Sequence, residues 1–568
     1  MEIEPITFSK GINIKSEPHA LKDGELVTAE GFTYEHHGVM EARASMEKVN
    51  ATTYGVINLI HRYMNWVMIA DSGTFRYKWD LDGYCDLYTP PNGDYTSVGV
   101  LSSGNRPRAT DYDEFTFVVT GSDKKAFTHG NWYDWDINPP ESAPTVAVGA
   151  AGSTTGTYTC YTTFLIKFPN GKEYETAPSP SGAVTTSSQK ITWSNIPKSL
   201  YTGTGVKITR KLYRYSTGLG SIYYVTEIPD NTTTSYTDNE TDATLITNDI
   251  LSTAEYDCPP NGIHDVCEYL QRVFAIKDNW LYPSEPYQPF CFVAAEAIPV
   301  VKDGENLVGL CQWGDQLYIC TTTTWFRLQG SDSSTWAVRN TFAEKGCVNK
   351  HTIRRTRYGI IGLWYDGIYV FDGTVAKNVT EKKIGTAFFD NITVNLCFGE
   401  WDGERYRFFY NDGTTYVNAV LIVDFSEYPE MKFYNDTFYP NAYEYHVPTG
   451  IRYIGNRDGF QYKPGGTEVI STELETREAI CKNIFKQKGL QYLYYDINTN
   501  GKDVTVTFYV DDVAQSPVIT LNEASRVRER LALASWQGYR ISIKIVCADS
   551  SGLKIYEPWG IDYTPFGD

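Results

Sequence analysis

The residues able to do chemistry are numerous in this 568-residue chain, but they are scattered. Its eight histidines include one local pair, His36-His37. No His-Glu-x-x-His is present to set two imidazoles on one helical face around zinc, and no Gly-x-Ser-x-Gly to expose a serine on a strand-to-helix turn. No glycine-rich phosphate loop precedes a helix pattern. The eleven cysteines contain no Cys-x-x-Cys spacing, and most, such as Cys160, Cys311, Cys320, Cys397 and Cys547, fall in apolar strand patterns. They read as buried free thiols of a chain matured in a reducing compartment. Asp80-Leu81-Asp82-Gly83 begins like a calcium loop but lacks a third ligand before the glycine and a closing glutamate, so it reads as a hairpin turn. Carboxylate pairs for glycoside hydrolysis depend on separation in space, which an acidic sequence does not single out.

Gly330-Ser331-Asp332-Ser333-Ser334-Thr335-Trp336 resembles a sialidase Asp-box at its Thr-Trp end. On that pattern the Asp and Gly positions fall on Ser331 and Ser333, so the motif fails and a hairpin is expected. A sialidase also needs converging arginines. Arg354, Arg355 and Arg357 share one strand pattern, and alternation sends Arg354 and Arg355 to opposite faces. The aromatic groups Trp132, Tyr133, Trp135 and Tyr492, Tyr494, Tyr495 could stack on sugars, but such side chains are usually sheet core. No catalytic, cofactor-binding or metal-ligating residue emerges, and a non-enzyme without cofactor is expected.

The elements that would hold any site are strands. Aromatic residues make up 14% of the chain, with 43 tyrosines, and apolar residues 42%, a composition that supplies ample core and favours β structure. Between Trp313 and Gly373, three short alternating patterns end in turns at Gly314-Asp315, Asp366-Gly367 and Asp372-Gly373. Such dipeptides between apolar runs signal hairpins, because glycine accepts the positive φ of a tight turn. Hairpin following hairpin at a spacing of about 40–50 residues predicts propeller blades, although no WD or kelch signature recurs. Helix signals are almost absent; the best is an amphipathic stretch at 475–487.

Composition divides the chain into four parts. Residues 1–145 read as an N-terminal arm and first blades. Residues 146–250 are rich in Thr, Ser and Gly, and about seven short strands predict an inserted immunoglobulin or fibronectin III-like sandwich. Residues 251–470 return to blades. Residues 471–568 form long strands around Asn500-Gly501 and Gly552, a C-terminal β-sandwich or final elaborated sheet. The fold class is therefore all-β: a propeller platform with an inserted β-sandwich and a C-terminal β-domain.

Fifty Lys and Arg against 69 Asp and Glu give a net charge of −19. This argues against wrapping of nucleic acid, which requires clustered cations, and suits a surface that DNA passes without adhering. The opening MEIEPITFSK lacks the apolar core of a signal peptide, and no run of 18 apolar residues occurs, so no membrane span is expected. Six Asn-x-Thr sequons, at Asn50, Asn231, Asn239, Asn378, Asn391 and Asn435, read as chance in an Asn- and Thr-rich chain.

Four segments, in order, resemble the tail nozzle and tail-stabilisation proteins of short-tailed bacteriophages. They are an N-terminal segment with Gly11-Ile12-Asn13, Asp23-Gly24-Glu25 and Glu41-Ala42-Arg43; residues 259–286, with QRVFAIKDNWLYPSEP; residues 314–373, with WFRLQGS and DGIYVFDG; and a C-terminal segment with WQGYRISIKI. The usual Arg-x-Gly ending of the first is Arg43-Ala44-Ser45 here. The resemblance implies a virion structural protein and no enzyme. It implies a homo-oligomeric ring, usually a hexamer, below portal and adaptor proteins and beside tail fibres or spikes. Such a ring retains the packaged genome, passes double-stranded DNA at ejection without specific binding, and is assembled in the host cytoplasm. The alternatives are a host-receptor or glycan-binding tail protein and, behind it, a glycan-degrading propeller enzyme.

Overall fold

Glycine turns close hairpins where the sequence places them. Gly314-Asp315 joins Gly309–Trp313 to Gln316–Cys320, and Gly314 takes a φ of 58°. At Asp372-Gly373 the Asp372 carboxylate accepts hydrogen bonds from the backbone N–H groups of Thr374 (3.1 Å) and Val375 (2.9 Å), a side-chain-stabilised turn. The computed structural model describes residues 2–566 except 37, 65, 80–93, 103, 302–303, 412–416, 418, 437, 439, 447–449, 468, 480 and 482–484. Asp80–Gly83 and His37 therefore lie outside the described residues.

Among the described residues, seven antiparallel sheets of four principal strands stand side by side. Blades 1 and 2 span residues 57–100 and 108–134, blades 3, 4 and 5 span 265–299, 309–340 and 354–378, and blade 6 spans 398–435. Blade 7 takes three strands from 442–464. Its fourth is Met46–Lys48, with Pro464 opposite Met46 and Tyr462 opposite Lys48. A strand from before blade 1 thus completes the last blade and closes the ring. The chain is a β-propeller.

The insert between blades 2 and 3 is organised by one 23-residue strand, Thr145–Lys167. Its first part pairs with Gly182–Ser194 and its last part with Lys207–Ser216, so five strands share one hydrogen-bonded path and a sixth, Glu173–Glu175, branches from it. Tyr158, Cys160, Ile191, Trp193 and Leu212 form its own core. A second core, with Phe164, Phe168 and Tyr174 from the insert and Phe115, Trp135 and Phe290 from blades 2 and 3, fixes it to the propeller. An ion pair between Lys172 and Asp113 adds to this junction.

Both chain ends build the remaining body. Glu2–Ile6 pairs with Trp559–Pro565, Val39–Ala42 with Lys554–Tyr556, and Glu25–Glu30 with Thr472–Thr476. The N-terminal 42 residues thus pair mainly with C-terminal strands, a partnership too distant in sequence for local pattern to reveal. The two sheets share a core that includes Phe8, Leu26, Leu474, Leu493, Ile543 and Trp559. At Glu30 and Asn435 one of them continues, in parallel pairing, into the outer strand of blade 6. The described residues of 475–487 are a strand end and irregular backbone, not a helix; Ala479 instead bridges to Ile541 in the sheet. Among the described residues no helix is long and apolar enough to cross a membrane.

Candidate axial channel

Each blade contributes its first strand to the propeller axis, and these strands enclose a cavity of about 460 Å³. It is lined from all seven blades, by residues that include His61, Arg106, Arg108, Asp111, Glu268, Gln312, Arg354, Arg355, Glu400 and Glu444.

A recurrent dipeptide places many of these groups. In five blades the first strand carries, at or near its end, a polar residue followed by an aromatic one: Asp111-Tyr112, Glu268-Tyr269, Gln312-Trp313, Glu400-Trp401 and Glu444-Tyr445. Successive side chains of a strand point to opposite faces. The polar member lines the channel, while the aromatic member packs into a core between blades. This is the repeat signal that a search for WD or kelch signatures misses, and it becomes visible once blades are aligned on their first strands.

The channel wall is stitched blade to blade around the circle. His61 Nε2 lies 2.9 Å from Asp111 (blades 1 and 2), and Arg108 Nε donates to Asp265 Oδ1 at 2.7 Å (blades 2 and 3). Asp265 Oδ2 accepts from the Leu310 backbone N–H at 2.9 Å, and Trp313 Nε1 donates to the Thr356 carbonyl at 2.8 Å. Arg354 Nε donates to Glu400 Oε2 at 2.9 Å, Arg452 Nη2 lies 3.4 Å from Asp402 Oδ2, and Asn441 Nδ2 donates to the Ile57 carbonyl at 3.0 Å, which returns to blade 1.

These environments move protons. Burial opposes charge on His61, but Asp111 outweighs it and pushes the imidazole up to about 9. Burial and the nearby Glu400 push the Glu444 carboxyl up to about 8, so it is mostly protonated at neutral pH. Burial, followed by the charges of Arg106, Lys350, Arg108 and Arg354, holds His351 well below its usual range and neutral.

Arg354 and Arg355 both line the channel, although strand alternation sends them to opposite faces. Their strand is the inner edge strand of its blade, so the lumen borders both faces of its pleat. Arg357 instead lies 4.8 Å from the Tyr358 ring. The segment Gly330–Trp336 is an exposed turn in which the Asp332 carboxylate accepts from the Ser334 hydroxyl (2.6 Å) and backbone N–H (3.1 Å). Trp336 anchors that turn to blade 3, with its ring 4.8 Å from the Arg272 guanidinium. Trp132 stacks on Phe75 at 4.2 Å, Tyr133 and Trp135 are buried, and so is Tyr495; Tyr492 carries the Arg530 guanidinium at 4.7 Å. The ten described cysteines are free thiols, and among the described residues no group of three or more His, Cys, Asp or Glu could hold a metal ion.

Fold and site together define a seven-bladed β-propeller with a charged axial channel. No family model matches the chain, and no curated protein matches it in sequence. Similar solved structures include the computationally designed protein Ika8, at 10% identity over 73% of this chain and 99% of that one, with a TM-score of 0.34. A chain of the Mitotic Checkpoint Complex is 7% identical over 74% and 93%, with a TM-score of 0.33. The Pan2 WD40 domain of Neurospora crassa is 8% identical over 74% and 94%, with a TM-score of 0.26. At these scores the blade count rests on this chain's own strand pairing.

Proposed function

We propose that the chain is a virion structural protein, a nozzle or tail-tube subunit of a short-tailed bacteriophage, working as one of several copies in a ring. The ordered resemblance of four segments suggests it. The observation that carries it is the interlocking of three bodies: Met46–Lys48 closes the propeller, the Glu30–Asn435 pairing fuses the terminal sandwich to blade 6, and a shared aromatic core fixes the insert to blades 2 and 3. Such joints suit a block that bears load without internal hinges.

The channel of about 460 Å³ has the volume of a small-molecule site. A duplex, whose major groove alone is about 12 Å wide, does not fit through it. On this reading the DNA conduit is enclosed between copies, and each propeller is part of its wall. The net charge of −19 would repel the passing phosphates. The insert, on the rim, is available to a neighbouring copy, an adaptor or a fibre.

Electron microscopy of virions alongside the purified chain tests the proposal. Rings of this chain on the tail axis support it; peripheral spikes, or absence of the chain from the particle, overturn it.

A further inference from the structure

Arg106 stands out among the channel residues because no carboxylate contacts it. Its Nη1 donates to the carbonyls of Asn58 (3.1 Å) and Asn441 (2.6 Å), and its guanidinium lies 4.1 Å from the centre of the Phe398 ring. Around it, at the end of the channel where the first strands begin, are Arg108, Arg354, His351 and, just behind the wall, Lys350. The carboxylates of Asp265 and Glu400 are already engaged, by Arg108 and Arg354 respectively. Arg355, further along the lumen, likewise makes no ion pair among the described residues.

The positive charge at this end is therefore unbalanced, in a chain whose net charge is −19. Burial and the charge of Arg354 push Arg106 down to about 9, and burial pushes Lys350 down to about 8 against the opposing charge of Asp265. Surplus cations in a low-dielectric cavity are stabilised by an anion that accepts their free N–H donors. Guanidinium groups match planar or tetrahedral oxygen acceptors through paired N–H bonds.

We propose that the axial channel binds a small oxyanion, a carboxylate or a phosphate, at the end formed by Arg106, Arg354 and His351. The free guanidinium donors of Arg106 and Arg354 hold its oxygens, and neutral His351 supplies one further polar contact. The volume admits a ligand of metabolite size, and the acids further along the lumen, Asp111 and Glu268, restrict negative charge to this end. The inference is independent of the assembly proposed above.

Titration calorimetry and thermal unfolding of the full-length chain test it, with inorganic phosphate and succinate as probes and sodium chloride holding ionic strength constant. Saturable binding of either probe, with a concentration-dependent rise in melting temperature, is expected. Phosphate alone would identify a phosphoryl ligand, and succinate alone a carboxylate. Arg106→Gln is expected to weaken binding at least tenfold with an unchanged circular dichroism spectrum. Should that variant not fold, Lys350→Met, behind the wall, is expected to weaken binding several-fold. No saturable binding by either probe, or undiminished binding by a folded Arg106→Gln chain, overturns the proposal.

Discussion

His61 Nε2 lies 2.9 Å from both carboxylate oxygens of Asp111, which ties the first strand of blade 1 to that of blade 2. Thr116 donates a further hydrogen bond to Asp111 at 2.7 Å, which holds the carboxylate in place. The imidazole is raised to about 9, above its unfolded value near 6.5. Its stabilisation is therefore fully present below about pH 6.5 and is lost as pH rises through 9. Urea midpoints measured from pH 6 to 10 should fall over that window, and the fall should be absent in His61→Gln. Near pH 6.5 the substitution should destabilise by about 3 kcal/mol, the scale of breaking a part-buried pair.

Glu444 also makes stability fall as pH rises, over a lower window and by a penalty on its charged form. Its carboxyl is raised to about 8, so the folded state binds a proton that the unfolded state releases near 4.5. It therefore lowers stability progressively as pH rises from about 4.5 to 8, with the full penalty above 8. Glu444→Gln keeps the shape and removes the titration. The variant should gain stability relative to the parent across that range and hold a constant advantage above it. A constant difference at all pH values would contradict the assignment.

Inside the insert, Arg214 Nη1 lies 2.5 Å from Asp238 Oδ2, and both side chains are fully buried. Arg214 also donates to the Glu240 carbonyl at 2.8 Å and packs over the Tyr158 ring at 4.6 Å. Asp238→Ala removes the fully buried counter-ion of Arg214, leaving only the part-exposed Asp242 at 3.1 Å, and should cost about 3 kcal/mol. Native-state hydrogen exchange should locate the loss in strands Thr145–Lys167, Gly182–Ser194 and Lys207–Ser216, with blades 4 and 5 unaffected.

Gly11 has a φ of +72°, and a Cβ there would meet the Phe433 carbonyl oxygen at 2.5 Å. The glycine lets the N-terminal strand approach blade 6. Gly11→Ala combines left-handed strain with a backbone clash, and should destabilise by at least about 1–3 kcal/mol. Thermal melting checks this, with Gly171→Ala as the control: that position has a similar positive φ but open space around it.

Deleting residues 1–48 removes the closing strand of blade 7 and three strand systems of the terminal sandwich. The expected product is insoluble or expanded on size exclusion, because it opens sheet edges and uncovers core at once. A folded monomeric product would show that the N-terminal strands are dispensable.

The strands, their turns and the all-β class were readable in local pattern. Period-two alternation closed by Gly314-Asp315 or Asp372-Gly373 is a short-range physical signal, set by glycine's φ and by aspartate's bonds to its own backbone. The net charge and the free cysteines were equally plain. Which strands meet was decided by tertiary structure, because pairing over hundreds of residues leaves no local trace. The Met46–Lys48 closure, the Glu30–Asn435 junction and the assembly of both chain ends into one sandwich are of this kind. The channel is the sharpest case. His61, Asp111, Arg354, Glu400 and Glu444 belong to five different blades, and each reads alone as an ordinary strand residue. Ring closure brings them to a common axis, where low dielectric and neighbouring charge give them properties that none of them has in its own segment.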